Sequence, residues 1–240
     1  MSVDHENNQI ALGDHIKSMV IAEFDSLPGQ DSANTQEDQL TELARNTEAH
    51  SITCCCLFKD GKHVLAGDSK GNLMIMRICR NPIYKEPRFM TLEIVNAVHV
   101  GSTVTNIVKG SLSDSEAVKV FTNRFIYTTS SGRIGSIGVF EPNPILDEIC
   151  KVQSKMIKQL HQEDVNEARE FNGRLGHHFQ GGQTEKEKRR KSAMIDGDLL
   201  FALLFDDQIK EDPLTFVSDI SGINDPAAVV GFINNLYNIN

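Results

Sequence analysis

Residues 51–78 read "SITCCCLFKDGKHVLAGDSKGNLMIMRI", and the punctuation of this stretch decides the fold class. Three apolar runs, "SITCCCLF", "KHVLAGD" and "NLMIMRI", are joined by the turn-like pieces "FKDGK" and "DSKGN". Asp60-Gly61 is a hairpin signal, and Gly71 supplies the freedom for positive φ that a tight turn requires. Short apolar runs joined by such residues read as strands.

The same pattern extends both ways. Upstream stand "NQIALGD" and, directly after it, "HIKSMVIAEF"; downstream come "TLEIVNAVHV", "STVTNIVKGSL", "AVKVFT", "RFIYTTS" and "RIGSIGVF". Ser131-Gly132 marks another tight turn. The polar stretch from Asp25 to His50 interrupts the series and reads as a long loop with a turn of helix near Leu40 to Arg45. Short strands at near-regular spacing predict an all-β architecture, and a sandwich, a barrel and propeller blades all satisfy it.

After Phe140 the period changes. Ile145, Ile149, Val152, Met156 and Leu160 form a helical stripe, with Asn143-Pro144 placed to start it. Two further helices are predicted, from Asp198 to about Phe205 and from Pro226 to Tyr237. The latter opens on Asp225-Pro226 and sets Val229, Val230, Ile233, Leu236 and Tyr237 on one face. The basic, glycine-rich stretch ahead of these two, "NGRLGHHFQGGQTEKEKRRKSA", reads as an exposed loop. Strands first and helices after indicate segregated layers rather than alternating βαβ units.

The 240 residues suffice for one large domain or two modest ones, and 40% hydrophobic with 24% charged residues is ordinary for a soluble protein. With no tryptophan, the core must rest on Ile, Leu, Val and Phe. A formal charge of −9 argues against a general phosphate-binding surface. No apolar stretch approaches a membrane span, and the N-terminus lacks the basic and then apolar regions of a signal peptide, so an intracellular location is expected. Cys54, Cys55 and Cys56 alternate across a strand and cannot converge on one zinc from regular backbone; with Cys79 and Cys150 they read as small buried hydrophobes.

The chemical candidates read mostly as structure. In Ile195-Asp196-Gly197-Asp198-Leu199 two carboxylates flank a glycine, but at positions i and i+2 of a helix start they diverge. Asp196 sits where an N-cap belongs, Asp198 falls in the first turn where the helix dipole favours negative charge, and Gly197 permits close approach of neighbouring chain. His177-His178 has no partner at zinc spacing. "GRIGSIG", Gly132 to Gly138, has the wrong spacing for a dinucleotide loop and runs from strand to strand, as strand glycines do where backbones pack closely. Lys186, Lys188, Arg189, Arg190 and Lys191 form the basic cluster, either a solvated loop or a nuclear-import signal or phosphate contact. The reading assigns no catalytic residue, no metal and no cofactor.

Several phrases, in this order, resemble a known family: "QIALGDHIKSMVIAEF", "LAGDSKGNLMIM", "AVHVGSTVTNIVKGSL", "FIYTTSSGRIGSIGVF", "KVQSKM", "HHF" and "MIDGDLL". They look like the C-terminal region shared by three multi-propeller proteins. These are the large subunit of the UV-damaged-DNA-binding complex (the cullin-4 ubiquitin-ligase adaptor), the large subunit of the cleavage and polyadenylation specificity factor, and subunit 3 of splicing factor 3b. "GDHIKS", "GSL", Gln153 and "HHF" most resemble the adaptor. "HVGSTV" and "IYTTSSGRIG" are more similar to the splicing subunit, and "NLM" to the polyadenylation factor. The reading favours the adaptor.

The resemblance implies a β-then-α fold, a partial β-propeller of closing blades followed by a small C-terminal helical domain. Residues 1–140 would be blades with a polar insert at about 25–50. Residues 141–240 would be helical, with a basic loop at about 172–193. It implies a non-enzymatic protein-interaction scaffold acting in DNA repair or protein ubiquitination. The alternative is a nucleic-acid-associated module of a splicing or 3′-end cleavage and polyadenylation complex. Expected partners are other proteins of a large nuclear complex, with weak nucleic-acid contact, no membrane and no small-molecule substrate. The expected location is the nucleus, with the cytoplasm second. The first and second propellers of the family are absent, and a few blades cannot close a ring. The chain is therefore expected to be a fragment or a divergent short homologue, and cullin binding is not carried over.

Overall fold

The computed structural model describes residues 1–25, 39–80, 90–111, 121–162, 195–205 and 212–237. These fall into two compact units. One holds Met1–Lys109 and Phe125–Ile137; the other holds Gly110–Arg124 and the described residues from Gly138 onward, so that the division runs through two strands.

The first unit is built from antiparallel meanders. Strands β1 (Ser2–Asp4), β2 (Gln9–Asp14), β3 (Ser18–Asp25) and β4 (Gln39–Arg45) pair in sequence order. Strands β5 (Ile52–Leu57), β6 (His63–Asp68), β7 (Asn72–Arg80) and β8 (Met90–His99) do the same. The two meanders join where β4 pairs parallel with β8 through Ala44↔Met90 and Arg45↔Thr91, giving an eight-stranded sheet ordered β1-β2-β3-β4-β8-β7-β6-β5. Its far ends then approach: Leu57 N–H donates to Ser2 Oγ at 3.1 Å, and the sheet nearly closes on itself. A second sheet, ordered β11-β10-β9, comprises β9 (Val104–Lys109), β10 (Phe121–Thr129) and β11 (Ile134–Phe140). This mostly β architecture is compatible with part of a propeller.

The facing meanders enclose one core. Ala11, Met19, Ile21, Ile52, Cys55, Leu57, Val64, Met74, Met76, Leu92 and Ile94 are all buried in it. Each large side chain removed from water contributes about 1.5–3 kcal/mol, so alternate residues of these strands fix which face turns inward. On the other face of β6, Gly67 leaves no space for a Cβ against Val104 and Cys54. The seam beside β4 and β8 carries a buried polar knot. Asn46, 4% exposed, donates from Nδ2 to Leu92 O at 2.8 Å and accepts from Ser18 Oγ at 3.0 Å and Glu48 N–H at 3.0 Å.

The second unit contains helices α1 (Ile145–Gln162), α2 (Gly197–Phe205), α3 (Pro213–Ser218) and α4 (Pro226–Tyr237). Ile149, Val152 and Met156 of α1 pack with Leu199, Leu200 and Leu203 of α2, Phe216 and Val217 of α3, and Val229 and Ile233 of α4. Lys155 lays its ammonium 4.2 Å from the centre of the Phe216 ring and donates to Phe216 O at 3.0 Å. Asp225 Oδ1 accepts the Ala228 N–H at 3.0 Å and so caps α4.

Four details differ from the sequence expectation. The helical turn expected at Leu40 to Arg45 is strand β4, because pairing with β3 and β8 satisfies its backbone on both sides. The end of "AVKVFT" runs on into "RFIYTTS": Phe121–Thr129 is continuous as β10, and residues 117–120 lie outside the described residues. The strand after Asp14 begins at Ser18, since Asp14 Oδ1 accepts the N–H groups of Ile16 and Lys17 and closes a turn there. Strand β1 and helix α3 were not expected at all.

Candidate functional site

The Ile195–Leu199 motif opens α2. Asp196 precedes the first helical residue, and its Oδ1 accepts the N–H groups of Asp198 at 3.0 Å and Leu199 at 3.3 Å. These are two of the donors that a helix start leaves without intrahelical partners. Asp196's own N–H points to Gln153 Oε1 on α1, at 2.8 Å. In an ordinary capping box a Glu or Gln within the same helix supplies that acceptor; here a buried glutamine 43 residues earlier does so. The motif therefore ties α2 to α1, with Leu199 and Leu200 entering the core directly behind it. A Cβ built on Gly197 meets no described atom within 4 Å, so the close backbone approach expected there is not found among the described residues.

Other reactive groups are committed elsewhere. Burial raises the thiol pKa of Cys54, Cys55, Cys56 and Cys150, in the last case with help from the Asp147 charge. A raised thiol is a poor nucleophile and metal ligand at neutral pH. A shallow groove of about 480 Å³ in the helical unit is lined by Cys150, Lys151, Ser154, Lys155, Asp219, Ile220 and Ser221. Its two ammonium groups bind main-chain carbonyls, Lys151 that of Gly222 at 2.6 Å and Lys155 that of Phe216. Among the described residues no three His, Cys, Asp or Glu side chains gather as a metal site, and no helix is long and apolar enough to cross a membrane. His177-His178 and the cluster Lys186, Lys188, Arg189, Arg190 and Lys191 lie outside the described residues. In "GRIGSIG" the rings of Tyr127 and Phe121 occupy the space over Gly135 and Gly138, where a side chain would otherwise stand.

Sequence reasoning missed one ordered surface. The strand register brings the turns around residues 69–71, 100–103 and 130–133 to one end of the first unit. Their backbones are interlocked: Val100 N–H donates to Gly71 O at 2.8 Å, Thr103 Oγ1 to Ser69 O at 2.8 Å, and Ser130 N–H to Thr103 O at 2.8 Å. Ser102 Oγ and Ser131 Oγ stand 2.9 Å apart, and Ser131 Oγ is 3.0 Å from Thr129 Oγ1. On the same rim a chain runs from buried Asp68 Oδ2 through Asn72 Nδ2, at 2.8 Å, and from Asn72 Oδ1 to the Nδ1 of exposed His99, at 3.1 Å. The only sequence signals were the glycines at 71, 101 and 132, each with φ between 82° and 85°.

No curated protein matches the chain significantly. The family model described as the CPSF A subunit region, however, matches residues 1–204. That span takes in every strand of both sheets, helix α1, and α2 up to the residue before its end. It includes the Asp196–Gln153 tie. With most of its length so matched, the chain belongs to the CPSF A subunit region family.

Proposed function

We propose that the protein is a non-enzymatic protein-interaction scaffold resembling the C-terminal region of the cullin-4 ubiquitin-ligase adaptor. In this reading residues 1–140 are closing blades of a propeller, residues 141–240 are a small helical domain, and the scaffold acts in DNA repair or protein ubiquitination. The observation that carries it is the family match from the first strand to the Ile195–Leu199 helix start. This is a family of scaffolds in multiprotein assemblies, and Gln153, Lys151 and Lys155 of the helical unit are spent on holding it together. The Lys186 to Lys191 cluster then serves as the nuclear-import signal.

The second reading is an RNA-processing module, a part of a splicing or polyadenylation complex, and the same family match supports it. Affinity purification of the tagged protein from its native cell separates the two. Cullin and substrate receptors in the eluate support the first. Spliceosomal or polyadenylation subunits without them reject it in favour of the second.

A further inference from the structure

The interlocked turns at the end of the first unit have the composition of an anion site. Residues 69–71, 100–103 and 130–133 contain Lys70 and Arg133 and no acid. The adjoining Asp68 is 1% exposed, and its oxygens already accept from the Lys70 and Asn72 N–H groups and the Asn72 amide. Arg133 is exposed, and its Nη1 lies 3.9 Å from the Cβ position of Gly101. Among the described residues no carboxylate pairs with that guanidinium.

His99 is oriented by its neighbours. Asn72 Nδ2 donates to Asp68, so Asn72 Oδ1 is the acceptor and His99 Nδ1 must be the donor. Nε2 is then the acceptor of the neutral ring, open to a donor on the ligand. His99 stands two residues from Gly101, so its Cα is within about 7 Å of the glycine that Arg133 covers. The Ser102–Ser131 hydroxyl pair borders the same glycine.

We propose that these turns bind an oxyanion carried by an acidic peptide segment of a partner protein. Arg133 supplies a planar pair of donors suited to carboxylate or phosphate, with the serine hydroxyls completing the shell and His99 Nε2 left to accept a main-chain N–H of the same peptide. Ile134, 67% exposed and directly after Arg133, offers apolar contact to the residue flanking the acid. A peptide suits the site better than RNA. Residues 69–71, 100–103 and 130–133 hold no Phe, Tyr or Trp ring on which a base could stack.

The inference rests on the scaffold reading, and fluorescence anisotropy on the full chain tests it. Three labelled probes are used: a peptide alternating glutamate with leucine, its phosphoserine counterpart, and oligouridine RNA. One or both peptides should bind, and whichever binds more tightly identifies carboxylate or phosphate as the anion. Arg133→Glu should weaken binding by roughly 10–100-fold, the range for loss of a charged hydrogen-bonded contact. Ser131→Ala should weaken it several-fold, Arg133→Lys should retain part of it, and Lys62→Glu, on the turn at the other end of β6, should leave it unchanged. Unaltered binding by Arg133→Glu, tighter binding of the RNA, or no binding of any probe overturns the site. If Arg133→Glu still co-purifies the native partners while the peptides fail to bind, the anion site falls and the scaffold reading stands.

Discussion

Asp60-Gly61 in the strand unit and Asp196-Gly197 in the helical unit are the same dipeptide, and each aspartate accepts two main-chain N–H groups. Asp60 Oδ1 takes those of Lys62 and His63, at 2.9 and 3.1 Å; Asp196 Oδ1 takes those of Asp198 and Leu199. The glycines part company. Gly61 has φ of 62° and is buried, with Asn7 pressed against it, whereas Gly197 has no such φ and open space around it among the described residues. In the hairpin the glycine sets the backbone path and the aspartate supports it. At the helix the aspartate sets the start, and the glycine is not needed for the local geometry.

Gly61→Ala should therefore have the largest effect. A Cβ there stands 2.8 Å from Asn7 Cγ, and Asn7 Nδ2 holds Asp4 Oδ2 at 2.8 Å and Lys59 O at 3.2 Å. A left-handed backbone at a non-glycine residue costs about 1–2 kcal/mol, and the displaced hydrogen bond to buried Asp4 adds about 1 kcal/mol. We expect a loss of about 2–3 kcal/mol in denaturant unfolding, the sum of those two costs. A loss under half of that would mean the hairpin relaxes and the contrast between the glycines is weaker than the geometry says.

Asp196→Ala comes next. Two helix-start donors lose their acceptor, which typically costs about 1 kcal/mol. Gln153→Ala strikes the same junction from the other helix, leaving the Asp196 N–H without its 2.8 Å acceptor. If both substitutions act through one junction, the double mutant should lose less than the sum of the singles. Strict additivity would show that the two ends of the tie are independent.

These two sites also show how far the sequence could be read. Asp-Gly between two short strand-like runs and Asp-Gly before a longer all-apolar run were distinguishable, because turn and cap chemistry is local. The helix stripe Ile149, Val152 and Met156 was legible for the same reason. Strand β4 was not: in "QLTELAR" the spacing of Leu40, Leu43 and Ala44 imitates a helix, and only pairing to strands far along the chain overrides it. The Asn46 knot joins Ser18, 28 residues back, to Leu92, 46 residues on. No periodicity encodes such a meeting. The rim of Arg133, His99 and Ser102 was hidden likewise, since three separate turns converge only once the register is fixed. Helix α3 did carry a signal, Asp212-Pro213, which is the same pair of residue types that marks α4.

Acid should act on the Asp60 turn by a smaller margin. Burial pushes the Asp60 carboxyl up, but the Lys62 N–H, His63 imidazole and His63 N–H together outweigh it and hold it below its ordinary value of 3.8. A carboxylate with a depressed folded pKa stabilises above the unfolded value, and that stability is lost as pH falls through the folded one. The side chain is 42% exposed, so solvent screening keeps the effect below about 1 kcal/mol. Stability measured from neutral pH down through pH 3.8 should fall less steeply in Asp60→Asn than in the parent. Identical slopes would remove Asp60 from the acid-sensitive set.

Gly197→Ala should change least. Glycine inside a helix is less favourable than alanine by about 0.8–1 kcal/mol, and at the first helical position only part of that applies. With open space around it among the described residues, the substitution should be neutral or stabilise by a few tenths of a kcal/mol, visible as an unchanged or slightly raised melting temperature. A clear drop would mean that something packs against this glycine after all, and the two Asp-Gly pairs would be alike. The informative combination is an unchanged melting temperature with loss of co-purified partners. Stability then needs only Asp196 and Gln153, and the bare backbone at Gly197 is the part of the motif that a partner reads.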